Sequence, residues 1–154
     1  MEFVRVGEEN LADAGYIHAE SWKESHRSFC TAEFVRLHTP EAQAKYLGME
    51  LAAGKQIWML VDGSPVGIVS VWGSLIENLY VLPREQNKGY GTALLEYAAG
   101  RCTGTPTLWV LNINEGARRL YGRNGFRETG RSKRLNGQLS EVELARRETR
   151  ESRG

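Results

Sequence analysis

The chain has 154 residues, 41% of them hydrophobic, and a formal net charge of +1, which fit one globular domain. Its 20 basic and 19 acidic residues create no overall field for nucleic acid or an anionic membrane, so neither partner is expected. No apolar run approaches the ~18 residues that span a bilayer, and no basic-then-apolar signal opens the sequence. Cys30 and Cys102 belong to no metal-ligand cluster, which predicts a reducing, cytoplasmic location with no metal and no disulfide framework.

The first third of the chain predicts one strand followed by helices. Alternating apolar residues at Phe3–Val6 are typical of a strand, and apolar residues at helical spacing over 10–25 predict a first helix. A second helical region follows. Its later half opens with Thr39 as a hydroxyl N-cap and Pro40 at the first helical position, and it is expected to stop near Gly54.

From residue 57 onward the apolar residues include many β-branched ones, which predict paired strands. Strands are expected at 57–61 and 66–72, joined by a hairpin turn at Asp62-Gly63, and at 75–82, where Pro83 stops the strand. The remaining predicted elements follow in chain order: a helix at 89–99, a strand at 107–111, a helix at 114–123, and a hairpin of two strands at 126–134 and 138–145.

This order of elements predicts an α/β fold of the layered α+β kind, in which helices flank a mixed central β-sheet in the order β-α-α-β-β-β-α-β-α-β-β. We expect a single domain over residues 1–145 and a charged, fraying tail at 146–154. Because one fold serves many activities, the function has to be argued from the motifs.

The segment with the most chemical content is residues 79–95, LYVLPREQNKGYGTALL. A predicted strand ends at Pro83, a polar loop follows, and a helix starts at once. The backbone amides of such a loop, together with an open helix N-terminus, make a site for an anion. Gly89 and Gly91 let the backbone approach that anion closely, and Lys88 adds positive charge beside it.

Two nucleotide-binding motifs are excluded at this loop. A P-loop requires Lys and Ser or Thr after its last glycine, but Gly91 is followed by Thr-Ala. A dinucleotide fingerprint requires a third glycine where Leu94 stands. A glycine-rich turn that binds no ligand remains the alternative.

Two motifs together resemble the GCN5-related N-acetyltransferases (GNAT). The first is V-x-P followed by Q-x-x-G-x-G, here Val81, Pro83 and the run QNKGYG at 86–91. The second is N-x-x-A-x-x-x-Y followed by Gly-Phe, here NEGARRLY at 114–121 and then Gly125-Phe126. The predicted order of strands and helices also matches that family, so the resemblance covers nearly the whole chain.

The resemblance implies transfer of an acetyl group from acetyl-CoA to a primary amine of a small molecule or peptide. It implies direct attack in a ternary complex, without a covalent enzyme intermediate. The pyrophosphate would lie on the loop, and the pantetheine arm would pair with a bulged strand. The implied cofactor-binding residues are Leu79, Tyr80, Val81, Gln86, Asn87, Lys88, Gly89, Tyr90, Gly91, Thr92, Asn114 and Tyr121. Asn114 is also the expected N-cap of the helix that it precedes.

The resemblance also implies roles in catalysis and acceptor binding. Tyr121 aligns with a family tyrosine that protonates the leaving thiolate, and a helix tyrosine packed against the sheet is the alternative. Glu77 is the candidate general base, with pairing to a cation as the alternative. Trp22 and His26 share one stripe of the first predicted helix and are candidate acceptor-binding residues. A core tryptophan beside a surface histidine is the alternative for that pair.

Two further interpretations remain open at this point. A catalytically silent acyl-CoA-binding module, acting as a sensor or interaction partner, would carry the same cofactor residues. An α/β domain for an unrelated ligand would not bind coenzyme A. The sequence is compatible with a monomer or a homodimer.

Overall fold

The computed structural model describes residues 1–147, which form strands and helices along the chain. The strands are β1 (Glu2–Arg5), β2 (Gln56–Asp62), β3 (Ser64–Trp72), β4 (Leu75–Val81), β5 (Thr107–Leu111), β6 (Phe126–Asn136) and β7 (Leu139–Arg146). The helices are α1 (Leu11–His26), α2 (Ala32–Arg36), α3 (Pro40–Ala52), α4 (Tyr90–Arg101) and α5 (Glu115–Arg123). Single 3₁₀ turns precede α1 and follow β4.

The strands of residues 1–147 form one sheet in the order β1-β2-β3-β4-β5-β7-β6. Neighbouring strands are antiparallel except β4 and β5, which are parallel. The α/β layered architecture predicted from the sequence is therefore confirmed.

The two faces of the sheet carry separate hydrophobic cores. On one face, Leu94 and Ala98 of α4 and Tyr121 of α5 pack with strand residues such as Val69. On the other face, Ile17 of α1 and Leu47 of α3 pack with strand residues such as Ile68. Adjacent residues Ile68 and Val69 thus serve opposite faces, as the alternation of side chains along a strand requires.

The helices on the second face approach each other closely at a glycine. A Cβ added to Gly15 of α1 would come within 2.7 Å of Ala44 Cβ and of the Pro40 carbonyl oxygen. Thr39 caps α3 as predicted, because its Oγ1 accepts a 3.0 Å hydrogen bond from the amide of Ala42. The predicted second helical region is divided into α2 and α3, since a residue before proline avoids helical backbone angles and Thr39 is extended.

The boundaries predicted for the other elements are close to those observed. Strand β5 has the predicted bounds, and β7 continues through Arg146. The predicted tail at 146–154 lies, from residue 148, outside the described residues. Within residues 1–147, no helix is both long and apolar enough to cross a membrane.

The sheet opens between β4 and β5. These strands pair at Leu75–Thr107 and Ile76–Leu108, and no further pairing joins them in the described part of the chain. Strand β4 also contains a bulge, because Asn78 and Leu79 together lie opposite the single residue Val69 of β3. Asn78 has a φ of +51°, which asparagine tolerates better than most residues. The bulge and the end of pairing together open a gap in the sheet.

Candidate active site

A cleft of about 500 Å³ lies at the gap between β4 and β5. Its lining includes the loop before α4, the bulged strand β4, the end of β5, the first turns of α5 and the end of α1. The predicted residues that line it are Leu79, Tyr80, Val81, Gln86, Asn87, Gly89, Tyr90, Gly91, Thr92, Asn114, Tyr121 and His26. The structure therefore brings most of the predicted site residues together in one cavity.

The loop before α4 presents unpaired backbone amides to the cleft. Gly89 is the N-cap of α4 with a φ of +89°, and no side chain caps the helix. The first amides of a helix have no intrahelical partner, so those of α4 are available to a ligand. A Cβ added to Gly89 would meet no atom within 4 Å, which shows that the space above the loop is open. This geometry suits an anion.

The polar side chains around this loop are held by neighbouring residues. Lys88 does not line the cleft: its Nζ lies 2.9 Å from Oε1 of Glu85 in an exposed ion pair. The Tyr90 hydroxyl donates a 2.5 Å hydrogen bond to Asp62 of β2, and this bond raises the pKa of the phenol. The loop is thus attached to the hairpin formed by β2 and β3.

The bulged strand offers backbone groups to the cleft. Leu82 donates its amide to the Val66 carbonyl of β3 at 2.9 Å. Because backbone groups alternate in direction along a strand, those of Val81 and Leu79 point to the opposite edge, toward β5. That edge has lost its strand partner, so these groups can pair with an extended ligand. The Val81 carbonyl already accepts hydrogen bonds from Ser21 Oγ and Gln86 Nε2, both at 3.2 Å.

Tyr121 lines the cleft from α5 and is 9% exposed. Burial raises the pKa of its phenol to about 12, so the hydroxyl stays protonated over the whole physiological range. Its ring packs near Phe126 in the core, with centroids 6.2 Å apart, so the packing role is observed and the catalytic role stays a prediction.

Asn114 caps α5 and lines the cleft. Its Oδ1 accepts a 3.1 Å hydrogen bond from the amide of Ala117 and so caps α5. The residue also lines the cleft beside Gly116 and Ala117. The cap therefore fixes the start of α5, from which the Tyr121 side chain enters the cleft.

Glu77 lies away from the cleft, among charged residues of α3 and the following turn. Its Oε1 is 2.8 Å from Lys55 Nζ, which is also 2.7 Å from Oε1 of Glu50. Burial opposes the charge of Lys55, but the two carboxylates outweigh it and raise the pKa of the ammonium group. The structure thus gives Glu77 the ion-pair role that was its alternative, and its role as a base stays a prediction.

An aromatic stack borders the α1 end of the cleft. The indole of Trp22 lies between two imidazoles, with ring centroids 4.1 Å from His26 and 3.3 Å from His38. His26 lines the cleft, whereas Trp22 supports it from behind. Of the two residues predicted to bind the acceptor, His26 therefore lines the cavity, and Trp22 lies behind His26.

Several cleft residues escaped the sequence reasoning. Trp109 and Leu111 of β5 lie opposite Glu143 and Glu141 of β7, and directly opposed residues share a face. Val110, between Trp109 and Leu111, packs in the core on the α4 face of the sheet. The side chains of Trp109 and Leu111, and those of the glutamates opposite them, therefore lie on the α1 face. Glu141 and Trp109 line the cleft there, as do Ser21 and Glu24 of α1. No local pattern in the sequence distinguishes these residues, because the register of distant strands brings them together.

The described residues contain no group of three or more His, Cys, Asp or Glu side chains placed to hold a metal ion.

Comparisons with known proteins support the family that the sequence motifs resemble. The family model described as an acetyltransferase (GNAT) domain matches residues 53–128, which include β4, the loop, α4 and α5. This part of the chain is therefore a GNAT domain. A search of the curated proteins found no significant sequence match.

Solved structures share the fold at low sequence identity. The apo form of YjaB from Escherichia coli is 22% identical, with a TM-score of 0.68 over 94% of this chain and 95% of that chain. PaiA N-acetyltransferase from Thermoplasma acidophilum, in complex with coenzyme A, is 18% identical, with a TM-score of 0.68 over 92% and 96% of the two chains. YncA from Salmonella typhimurium, with its cofactor acetyl-CoA, is 18% identical, with a TM-score of 0.67 over 94% and 92%.

Proposed function

We propose that the protein transfers an acetyl group from acetyl-CoA to a primary amine of a small molecule or peptide, by direct attack of the amine in a ternary complex. The observation that carries this proposal is the cleft, which joins the amides of the α4 loop to the side chain of Tyr121. The GNAT domain at residues 53–128 supports the acetyltransferase class. Two of the similar structures were solved with coenzyme A or acetyl-CoA.

The cleft fits the chemical groups of acetyl-CoA. The amides from Asn87 to Thr92, at an uncapped helix N-terminus, suit the pyrophosphate. The backbone groups of Leu79 and the amide of Val81, which face β5, suit the amides of the pantetheine arm, and an amide at the bulge suits the thioester oxygen. The volume of about 500 Å³ is typical of small-molecule sites.

Tyr121 acts on the leaving thiolate in this proposal. The pKa of its phenol is about 12, against about 8.5 for an ordinary thiol. Complete proton transfer from Tyr121 would therefore be uphill by about 5 kcal/mol, at 1.36 kcal/mol per pKa unit. A hydrogen bond from the hydroxyl to the sulfur as negative charge develops there is favourable. We therefore assign Tyr121 as the donor that stabilises the thiolate, which then takes a proton from solvent.

The α1 side of the cleft suits an amine acceptor because carboxylates lie there. Glu24 and Glu141 line the cavity, and Glu141 lies on the same face of the sheet as Trp109. Two of the lining carboxylates are already paired, Glu24 with Arg27 and Glu85 with Lys88, each at 2.9 Å. Glu141 forms no ion pair in the part of the chain that the structure describes, so its charge can attract an ammonium group and bring it beside the thioester.

Calorimetric titration of the protein with acetyl-CoA, with NADH and ATP as controls, tests the cofactor assignment. Thiol release from acetyl-CoA is then measured with phenylethylamine, 1,4-diaminobutane, lysine and an unblocked alanine peptide. Selective binding with thiol release supports the transferase. Binding without release for any amine favours the silent acyl-CoA-binding module, and no binding to folded protein overturns the proposal. The cytoplasmic location and the monomeric or homodimeric state stay predictions.

A further inference from the structure

We infer that His26 is the general base that removes the proton from the attacking amine, and that its Nε2 is the accepting atom. The inference deepens the proposed function and rests on it. It replaces Glu77, the base that the family resemblance suggests, with a residue of α1 that lines the cleft.

The hydrogen bonds of the His26 ring determine its tautomer. Nδ1 lies 2.9 Å from the carbonyl oxygen of Trp22, one turn earlier in α1. A carbonyl oxygen can only accept, so Nδ1 must carry the hydrogen. Ser25 Oγ lies 2.8 Å from the same nitrogen and donates its own proton to the Trp22 carbonyl at 3.1 Å, so it too accepts from Nδ1. The neutral ring therefore keeps its lone pair on Nε2.

The lone pair of Nε2 is accessible from the cleft. No hydrogen bond to Nε2 is made by any residue in the part of the chain that the structure describes. Among residues 1–147, the single buried side-chain nitrogen or oxygen without a partner is Nδ1 of His18. Nε2 of His26 is therefore not sealed inside the protein, and His26 belongs to the cleft wall.

The His26 ring is held in one orientation by aromatic packing. It stacks on Trp22 with an interplanar angle of 8° and lies 5.2 Å from the ring of Phe29. Trp22 is supported in turn by His38 on its other face. A ring fixed by a backbone hydrogen bond and by stacking loses little entropy when it accepts a proton, which is the usual requirement for an efficient base.

Burial favours the neutral form of His26. Burial is the main cause that lowers its pKa below the usual 6.5; the bond to Trp22 opposes this, and a positive charge on His38 would add to it. The other charged groups facing the cleft are Glu24, Glu85, Arg123 and Glu141. At neutral pH the Nε2 atom is thus an acceptor and not a donor.

The other candidate bases are less well placed. Glu77 lies outside the cleft wall and is bound by Lys55. His18 is 4% exposed and packs between Tyr46 and Tyr80, away from the cleft. His38 stacks behind Trp22 and does not line the cavity.

The proton balance of the step is complete. The ammonium group of the acceptor first loses one proton to solvent. The lone pair of the resulting neutral amine then forms the bond to the thioester carbonyl carbon, and the carbon–sulfur bond breaks with its electrons on sulfur. His26 Nε2 takes one N–H proton from the amine and later releases it to solvent. The thiolate, stabilised by the Tyr121 hydroxyl, gains a proton from solvent. The net products are the amide, the free thiol and one proton released to solvent.

The first test needs no acceptor and no turnover. Long-range ¹H–¹⁵N spectra of the histidine-labelled free protein at pH 7.5 should show His26 protonated at Nδ1, with a lone-pair shift at Nε2. The ring should titrate with a midpoint below 6.5. A neutral ring protonated at Nε2 overturns the inference.

The second test is the pH profile of thiol release, measured with the most active amine of the panel. His26→Gln should lower kcat/KM about 100-fold and abolish the acidic limb, while the Kd for acetyl-CoA changes less than twofold. The control His38→Gln also removes an imidazole from the Trp22 stack and should retain the limb. If His26→Gln keeps the acidic limb of the pH profile, the inference is overturned. It is also overturned if Glu77→Gln or Glu141→Gln loses that limb instead. Wild-type protein that neither binds acetyl-CoA nor releases thiol overturns the proposed function as well.

Discussion

Ser21 and Val81 are separated by 60 residues in the sequence but are joined by a hydrogen bond of 3.2 Å from the Ser21 hydroxyl to the Val81 carbonyl. The bond connects α1 to the end of β4. The same carbonyl accepts a second hydrogen bond from Gln86 in the loop before α4. One backbone oxygen thus links the helix of the acceptor side, the bulged strand and the anion-binding loop.

Ser21→Ala should destabilise the protein and loosen this junction. Ser21 is 4% exposed, so its loss leaves the Val81 carbonyl with one partner and should lower the free energy of unfolding by about 1 kcal/mol. Urea unfolding at pH 7 measures the change. Ser28→Ala, at an exposed position of the same region, is the control and should change the free energy by less than about 0.5 kcal/mol. If the two variants change the free energy of unfolding equally, the hydrogen bond from Ser21 to Val81 does not stabilise the protein.

Gly89→Val should abolish binding of acetyl-CoA through the shape of the loop. Gly89 has a φ of +89°, where a residue with a Cβ is strained by about 1–2 kcal/mol. Its added side chain would also enter the open space where the anion is expected. Calorimetry should show at least a tenfold weaker Kd.

The matched control for this change is Gly54→Val. Gly54 has a φ of +100°, also has no atom within 4 Å of an added Cβ, and lies outside the cleft wall. It should lose a similar free energy of unfolding but keep the wild-type Kd. Equal losses of affinity in the two variants would mean that backbone strain, and not the shape of the loop, explains the result.

Tyr121→Phe should reduce turnover without weakening cofactor binding. The variant removes one donor to the developing thiolate, so kcat should fall about 100-fold while the Kd for acetyl-CoA stays within twofold. Because the pKa of Tyr121 is about 12, wild-type turnover should not decline near pH 10, where an ordinary phenol ionises.

Tyr97→Phe is the control for loss of a phenol hydroxyl. Tyr97 stacks on Phe3 and accepts a hydrogen bond from Arg101, away from the cleft. Its kcat should match that of the wild type. A Tyr121→Phe enzyme with unchanged kcat would exclude the hydroxyl from the mechanism.

Local sequence signals predicted the parts of the site that depend on local backbone conformation. The glycine at 89, the cap at Asn114 and the cap at Thr39 all follow from the φ and ψ preferences of a few adjacent residues. Glu141 and the Lys55–Glu77 ion pair could not be predicted in this way, since strand register and helix packing bring distant residues together. Lys88 was expected to add positive charge beside the anion, but its ammonium group forms an ion pair with Glu85.

Acidification should destabilise the fold through His18. Burial lowers the pKa of this imidazole from 6.5 to about 4, against a weaker opposing contribution from Asn78. A group with a depressed folded pKa adds stability above its unfolded pKa, and that stability is lost as the pH falls from 6.5 toward 4. The gap between these values corresponds to at most about 3 kcal/mol, since each pKa unit is worth 1.36 kcal/mol.

Urea unfolding at pH 7.0, 5.5 and 4.0 measures this dependence. Both the wild type and His18→Gln lose stability as carboxylates titrate, but only the wild type must also protonate a buried imidazole. The difference in unfolding free energy between them should therefore shrink by about 2–3 kcal/mol from pH 7 to pH 4. If the difference in unfolding free energy between the wild type and His18→Gln stays constant from pH 7 to pH 4, the His18 imidazole titrates alike in the folded and unfolded chains. That result would contradict the burial argument.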